Sequence, residues 1–215
     1  MTPTMSDTTT PLLSARDLSV RFGGVLAVNK VSFDVRRGEV FTLIGPNGAG
    51  KTTVFNLISR IYTPTTGTLH FEGRLLSDKP PHAIAALGIA RTFQNIELFE
   101  NATVLQNLLI GHHIHRGAGF WSNLFFTKAT RDAELAARLR AEQVIELLDL
   151  QHDRDTFVAG LPYGKRKVVE LARALCTGPK LLLLDEPSSG LNVEETSDMA
   201  WWIHDIKNEL GITVL

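Results

Sequence analysis

Nine consecutive residues near the start of the chain have the composition of a loop that binds phosphate. Residues 45–52 fit the pattern G-x-x-x-x-G-K-[ST], and Thr53 follows. Glycines let the main chain turn its N–H groups onto a phosphate chain, because no Cβ stands in the way. The spacing predicts that Lys51 contacts the β- and γ-phosphates of a nucleotide and that Thr52 ligates Mg²⁺. The predicted nucleotide-binding residues are Gly45, Pro46, Asn47, Gly48, Ala49, Gly50, Lys51, Thr52 and Thr53.

Two adjacent carboxylates follow a run of leucines later in the chain. Leu181–Leu184 is fully apolar, which predicts a buried strand, and Asp185 and Glu186 come directly after it. Side chains at the carboxyl end of such a strand face the crevice where open α/β sheets bind ligands. The position predicts that Asp185 holds Mg²⁺ and that Glu186 orients and deprotonates a water aimed at the γ-phosphate. The alternative is two exposed carboxylates that merely end a strand.

Strand patterns surround the glycine-rich loop. Val31, Phe33 and Val35 alternate with polar residues, which predicts a half-buried strand. Residues 40–44 form a mostly apolar run that is typical of a buried strand leading into the loop. Residues 67–71 predict another strand, and residues 212–215 predict the beginning of one.

Helical patterns occupy most of the remaining sequence. Thr103 and Gln106 have capping-box spacing, and so do Asn192 and Glu195. The order of elements predicts an α/β fold with a helical subdomain inserted between about residues 95 and 170. Four apolar stripes mark the helices: Val54, Leu57, Ile58 and Ile61; Ala141, Val144, Ile145 and Leu148; Val168, Leu171, Ala172 and Leu175; and Met199, Trp202, Ile203, Ile206 and Leu210.

The composition bounds the class of protein. The chain has 215 residues, which suits a single domain over residues 12–215 preceded by a flexible tail over 1–11. A net charge of -1 argues against a nucleic-acid binder that works by bulk electrostatics. Cys176 is the one cysteine, so intrachain disulfides are excluded and a reducing compartment is expected. No run approaches the ~20 apolar residues that span a bilayer, and the N-terminus lacks the features of a secretory signal.

Taken together, these motifs resemble those of the ABC-type ATPases over nearly all of residues 12–215. The resemblance implies a P-loop NTPase core with an antiparallel β subdomain and an inserted helical subdomain, with ATP and Mg²⁺ as ligands. It implies that Phe22 stacks on adenine and that Gln94 meets the metal or the attacking water and links the site to a membrane subunit. Residues 161–165 stand where the family has its signature loop, and residues 189–192 resemble the loop that crosses to a second copy. For Asn192, an ordinary helix N-cap is the alternative.

In this family two copies close head to tail around two ATP molecules, so the resemblance implies a dimer whose signature loops complete the sites. The loop here departs from L-S-G-G-Q, because Pro162 replaces the serine and Lys165 the glutamine, while Gly164 is kept. Lys165, Arg166 and Lys167 then fill the first turn of a helix, where each cation costs roughly 0.3–1 kcal/mol when exposed. Our hypothesis is that the γ-phosphate of the partner's ATP offsets this cost at Lys165. The alternative is that all three cations extend into water.

The family pattern continues to a switch histidine, whereas this sequence ends at Leu215 while the final strand is starting. His204 lies within a helical stripe and is no substitute. The resemblance therefore indicates either a fragment of a longer protein or a catalytically compromised chain, and it predicts poor ATP hydrolysis by the 215-residue chain alone. An ATP-binding module without efficient turnover is the alternative reading. A GTPase is disfavoured, because the guanine-reading N-K-x-D motif is absent.

Within the family, the ATPase subunits of branched-chain amino-acid importers are most similar. Residues 21–24, 27–29 and 88–95 and the insertion from about 112 to 131 carry this resemblance. It implies two integral membrane permeases, a periplasmic binding protein, a homo- or heterodimer of ATPases and a cytoplasmic position on the inner face of the membrane. Urea and short-amide importers share much of the pattern. An aromatic cluster within residues 119–126 is either a binding surface for a permease or lipid, or part of the helical core.

Overall fold

A computed structural model describes residues 10–92, 97–111 and 128–215 of the protein. The predictions for Gln94, for the tail over residues 1–9 and for the aromatic cluster within residues 119–126 lie outside the described residues. No helix in the described part of the chain is both long and apolar enough to cross a bilayer.

An antiparallel sheet of four strands forms the first layer. Its order is β2 (Val25–Val35), β1 (Leu13–Phe22), β3 (Thr66–Phe71) and β4 (Arg74–Leu75). A two-residue turn joins β1 to β2, and Gly23 adopts a φ of +55° there, which favours glycine. The predicted strand at residues 31–35 and the strand at 67–71 are both confirmed, the second beginning one residue earlier.

A parallel sheet forms the second layer and carries the acidic pair. Its order is β5 (Ile89–Thr92), β6 (Leu181–Leu184) and β7 (Thr213–Val214). Thr92 pairs with Leu184, so β5 and β6 end side by side at one edge of the sheet. Residues that follow these two strands therefore enter the same region. This register is what brings residues from distant parts of the chain to Asp185.

The prediction of a buried strand over residues 40–44 is wrong in its burial. Within this segment only Val40 pairs with a strand, in a parallel bridge to Val214 of β7. The N–H of Phe41 donates to the Val214 carbonyl oxygen, and the N–H of Val214 donates to the Glu39 carbonyl oxygen. Phe41 and Leu43 pack on the core, whereas Val40 and Ile44 are 47% and 92% exposed. Among the described residues, no strand pairs with the other edge of this segment, and the side chains on one face, those of Val40, Thr42 and Ile44, are exposed.

Six described helices pack against the two sheets. Both predicted capping boxes are present, at Thr103–Gln106 and at Asn192–Glu195. The four predicted stripes lie on helices, except for two end positions: Ile61 falls beyond the end of the first helix and is half exposed, and Leu148 follows the last residue of its helix but is buried. The helices are α1 (Lys51–Ile58), α2 (Pro81–Ala86), α3 (Val104–Gly111), α4 (Lys128–Leu147), α5 (Tyr163–Cys176) and α6 (Val193–Leu210).

Strand β6 lies between two hydrophobic cores. Leu181 and Leu183 pack in the core under the antiparallel sheet, together with Val54, Leu57 and Ile58 of α1. Leu182 and Leu184 pack in the core formed with α3, α4, α5 and α6. Successive side chains of a strand point to opposite faces, so four leucines in a row fill both cores at once. The strand is thereby fixed on both faces, and the carboxylates at its end take a defined position.

Candidate nucleotide-binding site

The glycine-rich loop wraps around the side chain of Lys51. The Lys51 ammonium group donates to the carbonyl oxygens of Gly45 at 2.7 Å and Pro46 at 3.1 Å. Gly50 has a φ of +87°, and a Cβ on it would lie 2.5 Å from the carbonyl oxygen of Ala27. Only glycine can therefore occupy this position without a shift of the neighbouring strand.

The loop and the start of α1 enclose a cavity of about 330 Å³ with polar walls. The first N–H groups of a helix have no acceptor within the helix, and the helix dipole favours negative charge at that end. Main-chain amides and an ammonium group therefore converge on one space, which fits a chain of phosphates. The lining residues are Ala27, Asn47, Gly48, Gly50, Lys51, Thr52, Thr53 and Glu186.

A hydroxyl and a carboxylate meet beside this cavity. Thr52 Oγ1 donates to Asp185 Oδ1 at 3.4 Å, although 133 residues separate the two in sequence. Asp185 is only 5% exposed. Mg²⁺ prefers hard oxygen ligands and is commonly held by one or two carboxylates plus phosphate oxygens. The oxygens of Thr52 and Asp185 fit that requirement, as the sequence predicts for these two residues.

Arg91 on β5 binds the other oxygen of the same carboxylate. Its Nη2 lies 3.0 Å from Asp185 Oδ2, and its Nη1 donates to Asn56 Oδ1 of α1 at 2.7 Å. The two charged side chains are 8% and 3% exposed, so this is a buried ion pair. The guanidinium also lies 5.7 Å from the ring centre of Phe55, within the range of a cation–π contact. Arg91 thereby ties β5, α1 and β6 together at the site.

The sequence analysis did not assign a role to Arg91. The signal was present, because a charged residue within a short apolar strand is rarely fully buried unless it is paired. The sequence could not name the acid that pairs with it, since Asp185 lies 94 residues further on.

Glu186 lies at the entrance of the site rather than in the core. It is exposed and lines both the cavity at the glycine-rich loop and a second cavity of about 220 Å³ beside residues 40–43. Its φ is +52°, a left-handed conformation that residues with a Cβ seldom adopt. The N–H of Ser189 donates to the Glu186 carbonyl oxygen at 3.0 Å and closes the turn. A carboxylate in this place can reach a water at the phosphate end of the cavity.

The predicted signature loop packs against the start of α6. Gly164 lies so close to the Glu195 carboxylate that a Cβ on it would overlap that group. A Cβ on Gly190 would lie 2.9 Å from the ring of Tyr163. Asn192 caps α6, as the alternative for this residue predicted. The loop at 161–165 and the loop at 189–192 are therefore in direct contact within one chain.

The three cations at the start of α5 are held by groups of the same chain. Lys165 lies 3.1 Å from an Asp153 carboxylate oxygen, and Arg166 donates to the carbonyl oxygens of Leu161 at 2.9 Å and Ala159 at 2.7 Å. Lys167 is 8% exposed, which contradicts the alternative that all three extend into water. Burial lowers the pKa of Lys167, while Glu170 and Glu186 act in the opposite direction. Groups of the same chain therefore offset the unfavourable interaction of these cations with the helix dipole, and an external anion is not required for that.

Phe22 is 43% exposed at the end of β1. The ring of Tyr62 meets it edge to face, with the ring centres 4.9 Å apart. Such a contact restrains an exposed ring without covering it. Tyr62, which the sequence analysis did not single out, therefore supports the residue predicted to stack on adenine.

The comparisons with known proteins agree with this geometry. The family model described as "ABC transporter" matches residues 28–189. The branched-chain amino acid transport ATP-binding proteins BraF of Pseudomonas aeruginosa and LivG of Escherichia coli are 42% and 41% identical over 205 residues, which is 95% of this chain and 80% of each relative. The chain is also similar to a nucleotide-free ATP-binding cassette (TM-score 0.80, 34% identity) and to one in its ADP conformation (TM-score 0.81, 33% identity), with 96% of this chain and 80% of theirs covered in both cases. The protein is therefore a member of the ABC transporter family, with the fold of its ATP-binding cassettes.

Proposed function

We propose that this chain is the ATP-binding and ATP-hydrolysing subunit of an importer for branched-chain amino acids. The observation that carries the proposal is the meeting of Thr52, at the start of α1, with the buried Asp185 at the end of β6 beside a phosphate-sized cavity. The names of the relatives support the transported substrate, since BraF and LivG are both branched-chain amino acid transport proteins.

Binding of ATP begins with the main-chain amides of the glycine-rich loop. Lys51 already lies inside the loop, bound to two carbonyl oxygens. When phosphates enter, its ammonium group exchanges one or both of these carbonyls for β- and γ-phosphate oxygens, which are stronger acceptors because they are charged. Phe22, supported by Tyr62, stacks on the adenine ring at the open side of the site.

Hydrolysis depends on the acidic pair. Thr52, Asp185 and Gln94 would hold Mg²⁺, which neutralises charge on the phosphates when it is bound. Glu186 accepts a proton from the water that attacks the γ-phosphorus, and its exposed position leaves room for that water. Arg91 keeps the Asp185 carboxylate in one orientation by binding the oxygen that Thr52 does not contact.

A second copy, or a related ATPase, would complete the site. Gly164 is itself buried against the Glu195 carboxylate, so the partner's γ-phosphate would meet the more exposed residues on either side of it, Pro162 and Lys165. Lys165, 42% exposed in its side chain, adds a positive charge beside it. The contact with Asp153 is an exposed ion pair of small energy and can be exchanged for a phosphate.

A groove between α2, β5 and the pair α3 and α5 suits a permease segment. Its volume is about 440 Å³, and Ile61, Ile84 and Ile110 contribute apolar wall while Glu170 and Arg173 add charge. Arg91 forms part of its floor, and Gln94 follows three residues later in the sequence. We propose that a cytoplasmic segment of each permease docks here, which places the chain on the inner face of the membrane.

Two measurements test the function. Lys51→Ala should weaken the binding of MgATP by at least tenfold, and Glu186→Gln should keep binding while it stops phosphate release. Lys207→Ala, on the last turn of α6, is the matched control for loss of a lysine and should behave as the unchanged protein. In cells that depend on this gene, both site variants should abolish uptake of radiolabelled leucine, isoleucine and valine.

The transported substrate is tested separately. If urea or short amides, rather than leucine, isoleucine and valine, depend on the gene, the proposed substrate class is wrong although the ATPase assignment stands. If Glu186→Gln releases phosphate at the normal rate, Glu186 is not the base. If the unchanged protein binds MgATP but never releases phosphate even with its permeases, the chain is an ATP-binding module instead.

A further inference from the structure

We infer that Lys167 is a positioning residue for Glu186, because it binds from α5 the main chain of the turn over residues 186–189, here named the catalytic turn. The inference rests on the proposed function, because it concerns the residue proposed as the base. Its basis is a set of contacts between α5 and the turn that follows β6.

The Lys167 side chain crosses from α5 to that turn. Its ammonium group donates to the carbonyl oxygen of Glu186 at 3.3 Å and lies 3.5 Å from that of Pro187. The residue is 8% exposed, and its Nζ also lies 5.7 Å from the ring centre of Tyr163. A lysine is rarely buried to this extent unless its charge is engaged. The carbonyl oxygens and the aromatic face supply that engagement.

The turn needs such support because Glu186 has a strained backbone. A φ of +52° is unfavourable for a residue with a Cβ, and such conformations persist only where the surroundings hold them. The donors to the Glu186 carbonyl oxygen include the N–H of Ser189 at 3.0 Å and the Lys167 ammonium group. The bond from Ser189 closes the turn locally, whereas the bond from Lys167 fixes the turn to α5.

This anchor also joins the signature loop to the base. Lys167 lies in the first turns of α5, three residues after Gly164, and Tyr163 packs against Gly190 just beyond the catalytic turn. A displacement of the N-terminal end of α5 is therefore transmitted to the main chain of Glu186. Through this contact, docking of a second copy on the signature loop would alter the position of the base in the same chain.

The first test measures the turn directly and needs no turnover. Lys167→Met keeps the length and burial of the side chain but removes the donor. Hydrogen–deuterium exchange should speed up by about tenfold or more in the peptide that spans residues 186–190, while β6 and α6 remain as protected as in the unchanged protein. Lys167→Arg, which restores a cationic donor, should recover much of the protection. Lys207→Met is the matched control.

The second test separates positioning from binding. In single-turnover assays of the protein assembled with its permeases and in excess over MgATP, Lys167→Met should lower the rate of hydrolysis by about tenfold to a hundredfold, with the dissociation constant of MgATP unchanged. A purely structural lysine would change both or neither.

Three results would overturn the inference. These are unchanged exchange at residues 186–190 in Lys167→Met, an unchanged single-turnover rate, or equal losses of rate and MgATP affinity. Failure of the proposed function looks different: the unchanged protein would then neither bind nor hydrolyse MgATP, whereas the exchange experiment would still report whether Lys167 holds the turn.

Discussion

Replacing Arg91 by methionine should expose how much the site depends on its buried ion pair. Methionine fills part of the same space with an uncharged side chain, so Arg91→Met leaves the Asp185 carboxylate, 3% exposed, without the guanidinium that lies 3.0 Å from its Oδ2. A buried charge that loses its partner keeps the cost of its desolvation and loses the compensating attraction. The same substitution also removes the hydrogen bond to Asn56 and the contact with the ring of Phe55.

The expected loss is large for a single substitution. Breaking a buried pair by removing one partner costs about 3–5 kcal/mol of unfolding free energy. That range already includes the lost hydrogen bond to Asn56, which by itself is worth about 1 kcal/mol. An exposed pair such as Arg16–Asp34, with side chains 50% and 43% exposed, would cost about 0–1 kcal/mol and gives the contrast. The difference in burial between the two ion pairs therefore accounts for the difference between the two expected losses of stability.

Urea unfolding followed by circular dichroism measures this difference. With a slope of about 3 kcal/mol per molar urea, Arg91→Met should lower the midpoint by about 1 M or more, and Arg16→Met by less than about 0.3 M. In a double-mutant cycle, Asp185→Asn should lose less stability in the Arg91→Met background than alone, by about 2 kcal/mol or more. Equal midpoints for the two arginine variants, or strict additivity in the cycle, would refute the buried-pair account.

Three further outcomes are expected. Gly164→Ala should change the unfolding free energy by no more than about 1 kcal/mol, because the flexible Glu195 side chain can move aside at the loss of its bond to the Asn192 N–H while alanine favours the helix; a loss above about 3 kcal/mol in thermal unfolding would contradict this account. Lys165→Ala should change monomer stability by less than about 1 kcal/mol yet weaken ATP-driven dimerisation in light scattering; unchanged dimer affinity removes the proposed phosphate contact. Burial raises the pKa of the Cys176 thiol to about 12, so iodoacetamide at pH 8 should modify the folded protein about a thousandfold more slowly than the unfolded chain, and equal rates would show that the thiol is accessible.

Local patterns predicted the parts of the fold that depend on neighbours in sequence. The capping boxes at Thr103 and Asn192 involve residues three apart, and both are present. The apolar run Leu181–Leu184, which has no polar face, predicts a buried strand, and all four leucines are buried. The glycine-rich loop was equally predictable, because its glycines and its lysine act within nine residues.

Local sequence patterns could not predict the contacts between segments that are distant in the sequence. Arg91 and Asp185 are 94 residues apart, and their pairing depends on the register between β5 and β6. The sequence places Lys167 in the first turn of a helix, but it does not show that the turn after β6 lies over that end of α5. The prediction that residues 40–44 are buried was wrong for a related reason. An apolar composition predicts a strand, but it does not show whether other parts of the protein cover both of its faces.

Two cations hold the acidic pair in complementary ways. Arg91 binds a side-chain oxygen of Asp185 and reaches it from β5, whereas Lys167 binds main-chain oxygens at Glu186 and Pro187 and reaches them from α5. Arg91 also forms part of the groove proposed to receive a permease, and Lys167 follows the loop proposed to meet a second copy. Each proposed partner therefore contacts an element that carries a cation bound at the acidic pair. Loss of Arg91 should then chiefly affect the proposed metal ligand and overall stability, and loss of Lys167 the base and the chemical step.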